Sequence, residues 1–362
     1  MLNNNRGIAL LITLSAIVVL IAVGFELNRQ IQSSASKTAV SRDMMTLQQM
    51  ISSGVSIGRS ILAEDKNETE ADSVQEDWAD PEVVGQYINA AGLDNDSLHV
   101  NITDELSRIQ VNALVNFPEG KEFNRDQRQL WANFFDLLLQ QYDSRGSQLD
   151  FSENMEPDMI INPVKDWLDS DDDDSVTGLT GAEQPYYMDL DPPYSCRNGP
   201  FRHVSELLRV KNINAKMFSS VNGYAGIRDF LTVHGMEPSG NDGHEFSYPG
   251  RININTAPVP VLAALLPEGQ AFLAEEIAAY REETAGDGYV NDLRDKSWYK
   301  KVPGMQDVDI PGELITTQSD LFRIRCEAEH NGTSLAANVV VRRQKDEESG
   351  KWQCRVVKWQ YE

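Results

Sequence analysis

The sequence is poor in cysteine and in positive charge, and it contains a single long apolar run. Its 362 residues include three cysteines, and 56 acidic against 32 basic side chains give a formal net charge of -24 at pH 7. No C-x-x-C pair occurs, which excludes a zinc ribbon. Because so acidic a surface repels phosphate backbones, we expect no nucleic-acid partner. One possible membrane span excludes a channel or a transporter.

Catalytic signatures are equally scarce. The sequence has neither a G-x-x-x-x-G-K-[ST] loop for nucleotides nor an H-E-x-x-H zinc helix. A G-x-S-x-G pattern at residues 54–58 would make Ser56 the nucleophile of a hydrolase, but such an elbow needs a strand-to-helix turn. Here the pattern falls inside a predicted helix. We therefore predict a protein that is not an enzyme, with an anchored hydrolase as the weakest alternative.

The apolar run covers residues 8–25 and is uncharged, which is just long enough to cross a bilayer as a helix. Arg6 precedes it, so the positive-inside rule places Met1 in the cytoplasm and the bulk of the chain outside. The run ends in V-G-F-E at residues 23–26, a poor signal-peptidase site; its small residue, Gly7, lies in front instead. This arrangement resembles a type IV pilin-like leader, which a prepilin peptidase cuts after glycine. The resemblance makes Ile8 the first mature residue; the alternative is an uncleaved signal anchor.

Beyond the run, apolar residues recur every three or four positions, and no proline occurs before Pro81. The spacing predicts one helix over residues 8–62, about 80 Å long at 1.5 Å per residue. An acidic stretch at 64–80 predicts an exposed linker. A strand at 97–102 and a second at 107–111 are predicted to form a hairpin.

Further helices and strands follow from the same periodicities. Helices are predicted at residues 81–91, 125–142, 162–167, 204–210, 217–230, 259–266 and 270–283. From residue 314 the period becomes two, and strands are predicted at 321–329, 335–343 and 352–359. Cys326 and Cys354 lie in two of these strands, and the sequence leaves open whether they form a disulfide. In that case Cys196 would have no cysteine to pair with. The fold class is α+β, with a large helical insertion between the outer parts.

Two segments of the insertion region echo each other. Residues 108–114 read R-I-Q-V-N-A-L and residues 251–258 read R-I-N-I-N-T-A-P, each with alternating apolar and amide residues before a helix start. They indicate two tandem helical units. Residues 301–305 with 252–256 also resemble helix-hairpin-helix units that grip DNA backbones. A small packing unit is the alternative that the acidic surroundings favour.

The strongest signal for a site is an acidic run at residues 166–174. Calcium takes six to eight oxygen ligands, and Asp169, Asp171 and Asp173 have the alternate spacing that a bent calcium loop uses. An EF-hand is excluded because it would need glycine at 174 and glutamate at 180. Glu183 can fold back as a further ligand. The alternative is a solvated acidic loop. Weaker candidates for a second ion are Asp189, Asp191 and Asn198.

Taken together, these segments resemble the K-type minor pseudopilins of type II secretion systems. The segments that carry the resemblance are residues 6–14, 108–115, 166–171, 181–183, 192–194, 205–207 and 251–258. There are two departures: Gln184 stands where the family often has an acid, which weakens one possible metal ligand, and Lys211-Asn212 stands where it often has a glycine.

The resemblance implies a pilin-like helix packed on an antiparallel sheet, with a SAM-like or helix-hairpin-helix-like insertion that binds calcium. It implies a leader at 1–7, a transmembrane helix at 8–28, pilin-like parts at 29–115 and 313–362, and an insertion at 116–312. It also implies a place in the bacterial inner membrane, with a single pass and a periplasmic bulk, and then in the pseudopilus.

The implied partners are prepilin peptidase, inner-membrane lipid, the I-type and J-type minor pseudopilins and the major pseudopilin below, without nucleic acid. The implied function is to form or initiate the tip of the pseudopilus in protein export. Pilin-like subunits generally carry glutamate at the fifth mature position, where this chain has Ile12. The alternative function is a pilus-like tip module for DNA uptake or adhesion, which DNA binding at physiological salt would favour.

Overall fold

The computed structural model describes residues 5–66, 69–94, 96–143, 155–170, 175–219, 225–239, 245–286 and 288–362. The predicted α+β class is confirmed: a long N-terminal helix packs on an antiparallel sheet, and further helices lie between its strands in sequence. The helices are α1 (Asn5–Asp65), α2 (Pro81–Ala90), α3 (Arg125–Asp143), α4 (Asp158–Leu168), α5 (Gln184–Met188), α6 (Ala215–Phe218), α7 (Val259–Leu265) and α8 (Leu273–Glu282).

Twelve strands are present in the described residues, most of them short. They are β1 (Leu98–Asp104), β2 (Ile109–Gln110), β3 (Leu231–Thr232), β4 (Glu237–Ser239), β5 (Glu245–Ser247), β6 (Ile252–Asn253), β7 (Thr284–Ala285), β8 (Gly288–Tyr289), β9 (Ile315–Thr316), β10 (Leu321–His330), β11 (Thr333–Lys345) and β12 (Trp352–Tyr361). The main sheet has the order β1-β10-β11-β12 and is antiparallel throughout.

Helix α1 has two distinct halves, and the predicted single helix is confirmed. The apolar side chains of its first half, from Ile8 onward, are exposed, and by length and composition this half can cross a membrane. From Leu47 onward the helix buries one face on the main sheet. A Cβ on Gly54 would lie 2.9 Å from Val100 Cγ2, so glycine here allows the close approach of helix and sheet.

The predicted hairpin between residues 97–102 and 107–111 is wrong. Strand β1 pairs with β10, and β2 pairs in parallel with β3. The reason is local: Asp104 accepts a hydrogen bond from Leu106 N at 2.8 Å and caps a 3-10 turn, Glu105–Ser107, that leads the chain away from the sheet.

The predicted exposed linker at residues 64–80 is also wrong in its described part. Asp72 and Trp78 are buried. Asp72 forms an ion pair with Arg343 and accepts a hydrogen bond from Ser319 N at 2.7 Å. Trp78 packs edge-on against Phe322, with ring centroids 5.1 Å apart. A stretch rich in acids therefore lies inside, because its charges have partners in the C-terminal part.

The predicted helix at residues 217–230 is wrong where the structure describes it. Helix α6 ends at Phe218, and a 3-10 turn covers Ile227–Asp229; residues 220–224 lie outside the described residues. Gly226 packs directly against the carbonyl of Phe218, where a Cβ would collide. This contact requires the chain to fold back rather than continue as a helix.

The question of a disulfide is settled by strand register. Cys326 lies opposite Ala337 of β11, and Cys354 lies opposite Arg343, six residues further along that strand. At about 3.3 Å per residue the two sulfurs are roughly 20 Å apart, far beyond bonding distance. Both cysteines are free and buried, and burial raises the pKa of Cys326 to about 12 and that of Cys354 to about 11.

In the described residues, the buried hydrophobic side chains form two separate clusters. One joins α1 and α2 to the main sheet, and the other runs from Ile109 to Ile315. The domain boundaries at residues 116 and 312 stay a prediction, although the larger cluster spans nearly the same part of the chain.

The two echoed segments fold alike, each as a short strand in a parallel pair. Strand β2 pairs with β3, and β6 pairs with β9. In each, an amide side chain on the strand accepts a hydrogen bond from the backbone two residues on: Gln110 from Asn112 N and Asn253 from Asn255 N. We refer to residues 108–233 as the first unit and residues 251–317 as the second unit.

Each unit has a buried asparagine at its centre. Asn112 Nδ2 donates to the carbonyls of Phe201 and Val233, and its Oδ1 accepts from Phe201 N at 2.8 Å. Asn255 Nδ2 donates to the carbonyl of Leu293 at 3.1 Å, and its Oδ1 accepts from Trp298 Nε1 at 2.7 Å. The two asparagines thus tie the strand of each unit to the segment that returns to it.

Candidate metal centre

Three buried carboxylates meet in the first unit. Asp166 lies in the last turn of α4, Asp169 follows that helix, and Glu183 immediately precedes α5. One oxygen from each carboxylate lies within 4.8 Å of the others, and the exposed fraction of each residue is 1% or less. We refer to these three residues as the acid cluster.

The backbone between α4 and α5 wraps around Asp166. Its carboxylate accepts hydrogen bonds from Thr177 N at 3.1 Å and from Ala182 N at 2.7 Å. A Cβ on Gly181 would collide with this carboxylate, so only glycine fits at that position. The loop is therefore shaped around a charged group.

Two lysines lie close to the acid cluster. Lys165 Nζ lies 2.6 Å from Asp169 Oδ2, one helical turn away. Lys211 Nζ donates to the carbonyls of Thr180 and Gly181, at 3.3 and 3.2 Å. Buried like charges repel one another strongly unless a further positive charge joins them.

This set of donors fits a hard cation such as calcium. Carboxylate oxygens, supplemented by backbone carbonyls, are the ligands that calcium prefers. Cys196 lies beside the cluster, but burial raises the pKa of its thiol to about 12, and the nearby Glu183 and Asp169 act in the same direction. The ligands that the acid cluster itself offers are carboxylate oxygens.

The structure brings together two of the predicted ligands, Asp169 and Glu183. Asp171 and Asp173 lie outside the described residues. Of the weaker candidates for a second ion, Asp189 and Asp191 are exposed and lie outside the acid cluster. Asn198 is half-buried with a φ of 49°, and its role stays a prediction.

Asp166 was not among the predicted ligands. The sequence signal that identifies it is its spacing of three residues from Asp169, which places both carboxylates on one side of a helix end.

A second group of carboxylates, Asp65, Asp72 and Glu76, also lies within 4.8 Å. Here basic side chains of the protein offset the negative charges of the carboxylates. Arg343 forms ion pairs with Asp65 and Asp72, and Lys66 Nζ lies 3.2 Å from Asp72. Burial still raises the pKa of Asp65 to about 7. This group is a structural ion-pair network.

The G-x-S-x-G pattern forms part of the contact between α1 and the sheet. Gly54 and Gly58 face the sheet, whereas Ser56 is exposed and donates to the carbonyl of Ser52 at 2.8 Å within the helix. The pattern therefore lacks the strand-to-helix turn of a nucleophile elbow.

These features define a class of protein: a pilin-like subunit whose long helix and sheet carry a helical insertion with a buried acid cluster. Residues 107–227 match the family model described as "Type II secretion system (T2SS), protein K". The type II secretion system protein K of Aeromonas hydrophila is 21% identical over 221 residues, which are 60% of this chain and 62% of that protein. This chain therefore matches less than two thirds of that relative's length.

A solved structure agrees in fold. A chain of the GspK-GspI-GspJ complex of the enterotoxigenic Escherichia coli type 2 secretion system superposes with a TM-score of 0.58 at 18% identity. The match covers 89% of this chain and 99% of that one. The three comparisons agree in what this chain is similar to, which is the protein K family of type II secretion minor pseudopilins. The family is a structural component of the secretion system rather than a known enzyme.

Proposed function

We propose that this protein is a non-enzymatic, membrane-anchored subunit that forms or initiates the tip of the type II secretion pseudopilus and so supports export across the outer membrane. The observation that carries this proposal is the form of α1: an exposed apolar half continues without a break into a half that packs on the sheet. This form suits a single pass through the inner membrane, with residues 29–362 in the periplasm, built from pilin-like parts at 29–115 and 313–362 around the insertion at 116–312.

The tip position rests on a missing carboxylate and on bulk. In pilin-like filaments, a glutamate at the fifth mature position is thought to pair with the N-terminal amine of the subunit above. With Ile8 as the first residue, the fifth is the exposed, apolar Ile12. A lone carboxylate in a membrane costs about 2.5–3.5 kcal/mol, so it is kept where it has a partner. This chain has no group for an amine above it, and its insertion is difficult to stack at every level of a fibre.

The proposed partners are I-type and J-type minor pseudopilins and the major pseudopilin below. The solved GspK-GspI-GspJ complex, in which a chain of similar fold is assembled with two others, supports the first two partners. Site-directed cysteine cross-linking from the exposed face of α1 in assembled pseudopili tests the position. We expect cross-links to one subunit below and none to a subunit above. Repeated self-cross-links, or recovery of this chain along the fibre shaft, would contradict the tip assignment.

The proposed maturation is cleavage after Gly7 by prepilin peptidase, followed by methylation of Ile8. It is supported by the position of Gly7 directly before the apolar half of α1. Intact-mass measurement of the membrane protein should show a chain that begins at Ile8 and carries one methyl group. A mature chain that retains Met1, or that begins beyond Phe25, would exclude this route.

We further propose that calcium stabilises the insertion at the acid cluster. Asp166, Asp169 and Glu183 would hold the ion, and Asp171 and Asp173 are proposed as further ligands from their spacing and the family resemblance. The ion would add positive charge beside three buried carboxylates that lie within 4.8 Å of one another. Its role would be structural, since it would fasten the loop between α4 and α5.

A further inference from the structure

A cleft of about 250 Å³ lies where the insertion meets the main sheet. Its lining includes His203, Arg228 and His234 from the insertion and Arg323 and Lys358 from the sheet, whereas Glu362 is the acid among its lining residues. A concentration of basic groups is unusual in a chain with a net charge of -24. We call this the seam cleft.

Lys358 is the key residue of the seam cleft. Its ammonium group is half-buried and donates a hydrogen bond to His203 Nδ1 at 2.7 Å. In the described part of the chain it forms no ion pair with a carboxylate, although the charges of Glu105 and Glu206 act on it from a greater distance. Glu206 itself pairs with Arg197 at 2.6 Å.

The acids nearby are committed to other cations. Glu105, buried beneath the cleft, binds Arg323 through two hydrogen bonds of 2.7 and 3.0 Å and also pairs with Arg108 at 2.8 Å. Glu362 pairs with Arg325 at 3.0 Å. The Glu105 network therefore already holds two guanidinium groups for one carboxylate and does not balance the charge of Lys358.

The pKa shifts of Lys358 and His234 also indicate a surplus of positive charge in the seam cleft. Burial lowers the pKa of Lys358, and Arg323 lowers it further. Burial also lowers the pKa of His234, although Glu105 opposes this. An incoming anion would relieve the repulsion among these groups.

We propose that the seam cleft binds a single carboxylate group, held by the Lys358 ammonium beside His203. A single charge suits the site because the acidic surface around it repels polyanions. The walls suit a short aliphatic chain, since Val233 and Val340 line the cleft beside the amide of Gln360. The carboxylate can come from a free small acid or from a side chain of another polypeptide. This inference does not depend on the proposed position at the tip.

The test uses the full chain in detergent micelles and three probes: acetate, N-acetylglutamate amide and its neutral isostere N-acetylglutamine amide. Imidazole NMR signals report binding directly in the wild type. We expect saturable shifts of the His203 and His234 signals with a carboxylate probe, and none with the glutamine isostere. His330, near Asp43 and away from the cleft, is the internal control. Binding of acetate as well as the glutamate amide would indicate a free small acid, and binding of the glutamate amide alone a polypeptide.

Variants give the second arm of the test. Lys358→Gln should weaken binding about tenfold or more, because a charge-assisted hydrogen bond is lost. Lys358→Arg should retain most of it. Lys351→Gln, at an exposed lysine before the same strand, is the matched control and should bind as the wild type does. Absence of saturable carboxylate shifts in the wild type would overturn the proposal, as would equal weakening by the Lys358 and Lys351 changes to glutamine.

Discussion

The two units of the insertion are built on the same local scaffold but bury different charges. Each has a short parallel strand pair centred on an asparagine, Asn112 in the first unit and Asn255 in the second. The first unit encloses the acid cluster. In the second, the buried charge is that of Arg281, whose Nη1 donates to the carbonyls of Ile254 and Ala257, at 3.3 and 2.7 Å. Arg281 also pairs with Glu282 at 3.6 Å, so its charge is offset within the chain, whereas for the clustered carboxylates we propose a cation from outside.

The two units also differ in how they are fastened to the pilin-like part. Two adjacent acids of the pilin-like part attach the units. Asp104 accepts hydrogen bonds from Asn253 and Thr256 of the second unit, both at 2.7 Å, and Glu105 accepts one from Thr232 of the first unit at 2.6 Å. Burial raises the pKa of Asp104 to about 6, because the groups that bond it are neutral. Burial also acts to raise the pKa of Glu105, but nearby arginines outweigh it and hold the pKa at about 2.

This comparison shows that a shared backbone motif does not fix how a unit is stabilised. The same short strand begins a unit that buries an arginine and a unit that buries three carboxylates, and we propose that only the unit with the three carboxylates binds an ion. The difference lies in the loops between the shared elements, and it can be tested by changing one unit at a time.

The largest effects are expected at the central asparagines, where the two units should respond alike. Asn112→Ala and Asn255→Ala each remove about three hydrogen bonds to buried groups, at a cost of about 3 kcal/mol in the free energy of unfolding. Chemical denaturation of each variant measures this. Asn116→Ala is the control, since that exposed asparagine donates one bond, to Phe123 O. If either substitution lowered the free energy of unfolding by less than about 1 kcal/mol, the two asparagines would not have equivalent roles in their units.

The next largest effect, the response to calcium, should distinguish the first unit from the second. Calcium at a hundredfold excess over its Kd stabilises the folded state by about 2.7 kcal/mol if it binds that state alone. The melting temperature should therefore rise on addition of calcium and fall in EDTA. Asp169→Asn should abolish most of this response, and Arg281→Gln, in the second unit, should leave it intact. Asp136→Asn, at an exposed aspartate of α3 in the same unit, serves as the matched control. A calcium response that survives Asp169→Asn would place the site elsewhere.

The smallest effect concerns the attachment of the second unit and depends on pH. The pKa of Asp104 in the folded protein, about 6, is above its value in the unfolded chain, so its contribution to stability is fully present below about pH 4 and is lost as the pH rises through 6. In saturating calcium, stability should increase by about 1 kcal/mol from pH 7.5 to pH 5. Asp65, with its raised pKa, adds in the same direction.

Asp104→Asn should reduce this pH dependence by about 1 kcal/mol, the share of Asp104, whereas Asp307→Asn, at an exposed aspartate, should leave it unchanged. Melting temperatures measured across the pH range decide between them. Glu105 should not contribute in this window, because its stabilisation is lost only as the pH falls through about 2. If the melting temperature of Asp104→Asn depended on pH as that of the wild type does, Asp104 would not be the source of this effect.

Regular periodicity explains which elements the sequence predicts well. Helix α1 and strands β10 to β12 follow long apolar repeats, and their predicted positions agree with the structure to within a few residues. The partner of a short strand is not encoded in its own pattern, so β2 was assigned to a hairpin when it pairs with β3, far along the chain. Asp72 was assigned to an exposed linker because Arg343, its partner, is 271 residues away.

The acid cluster was predictable in part. The density of acids identified the region, and Asp169 and Glu183 were named correctly as residues that meet. Asp166 was missed because its role depends on where α4 ends and on the backbone that folds around it. The spacing of three residues from Asp169 indicates a shared side of the helix, but it does not predict the backbone that encloses Asp166.

The central claim, that a cation holds the acid cluster of the first unit, is tested most directly by hydrogen exchange with mass spectrometry in calcium and in EDTA. The amides to follow are those that surround the cluster, at residues 175–183, and the corresponding start of the second unit, at residues 252–257. We predict that EDTA accelerates exchange at 175–183 by about 100-fold, as a loss of about 2.7 kcal/mol implies, and leaves 252–257 unchanged. Equal acceleration in both segments, or no change in either, would contradict the account.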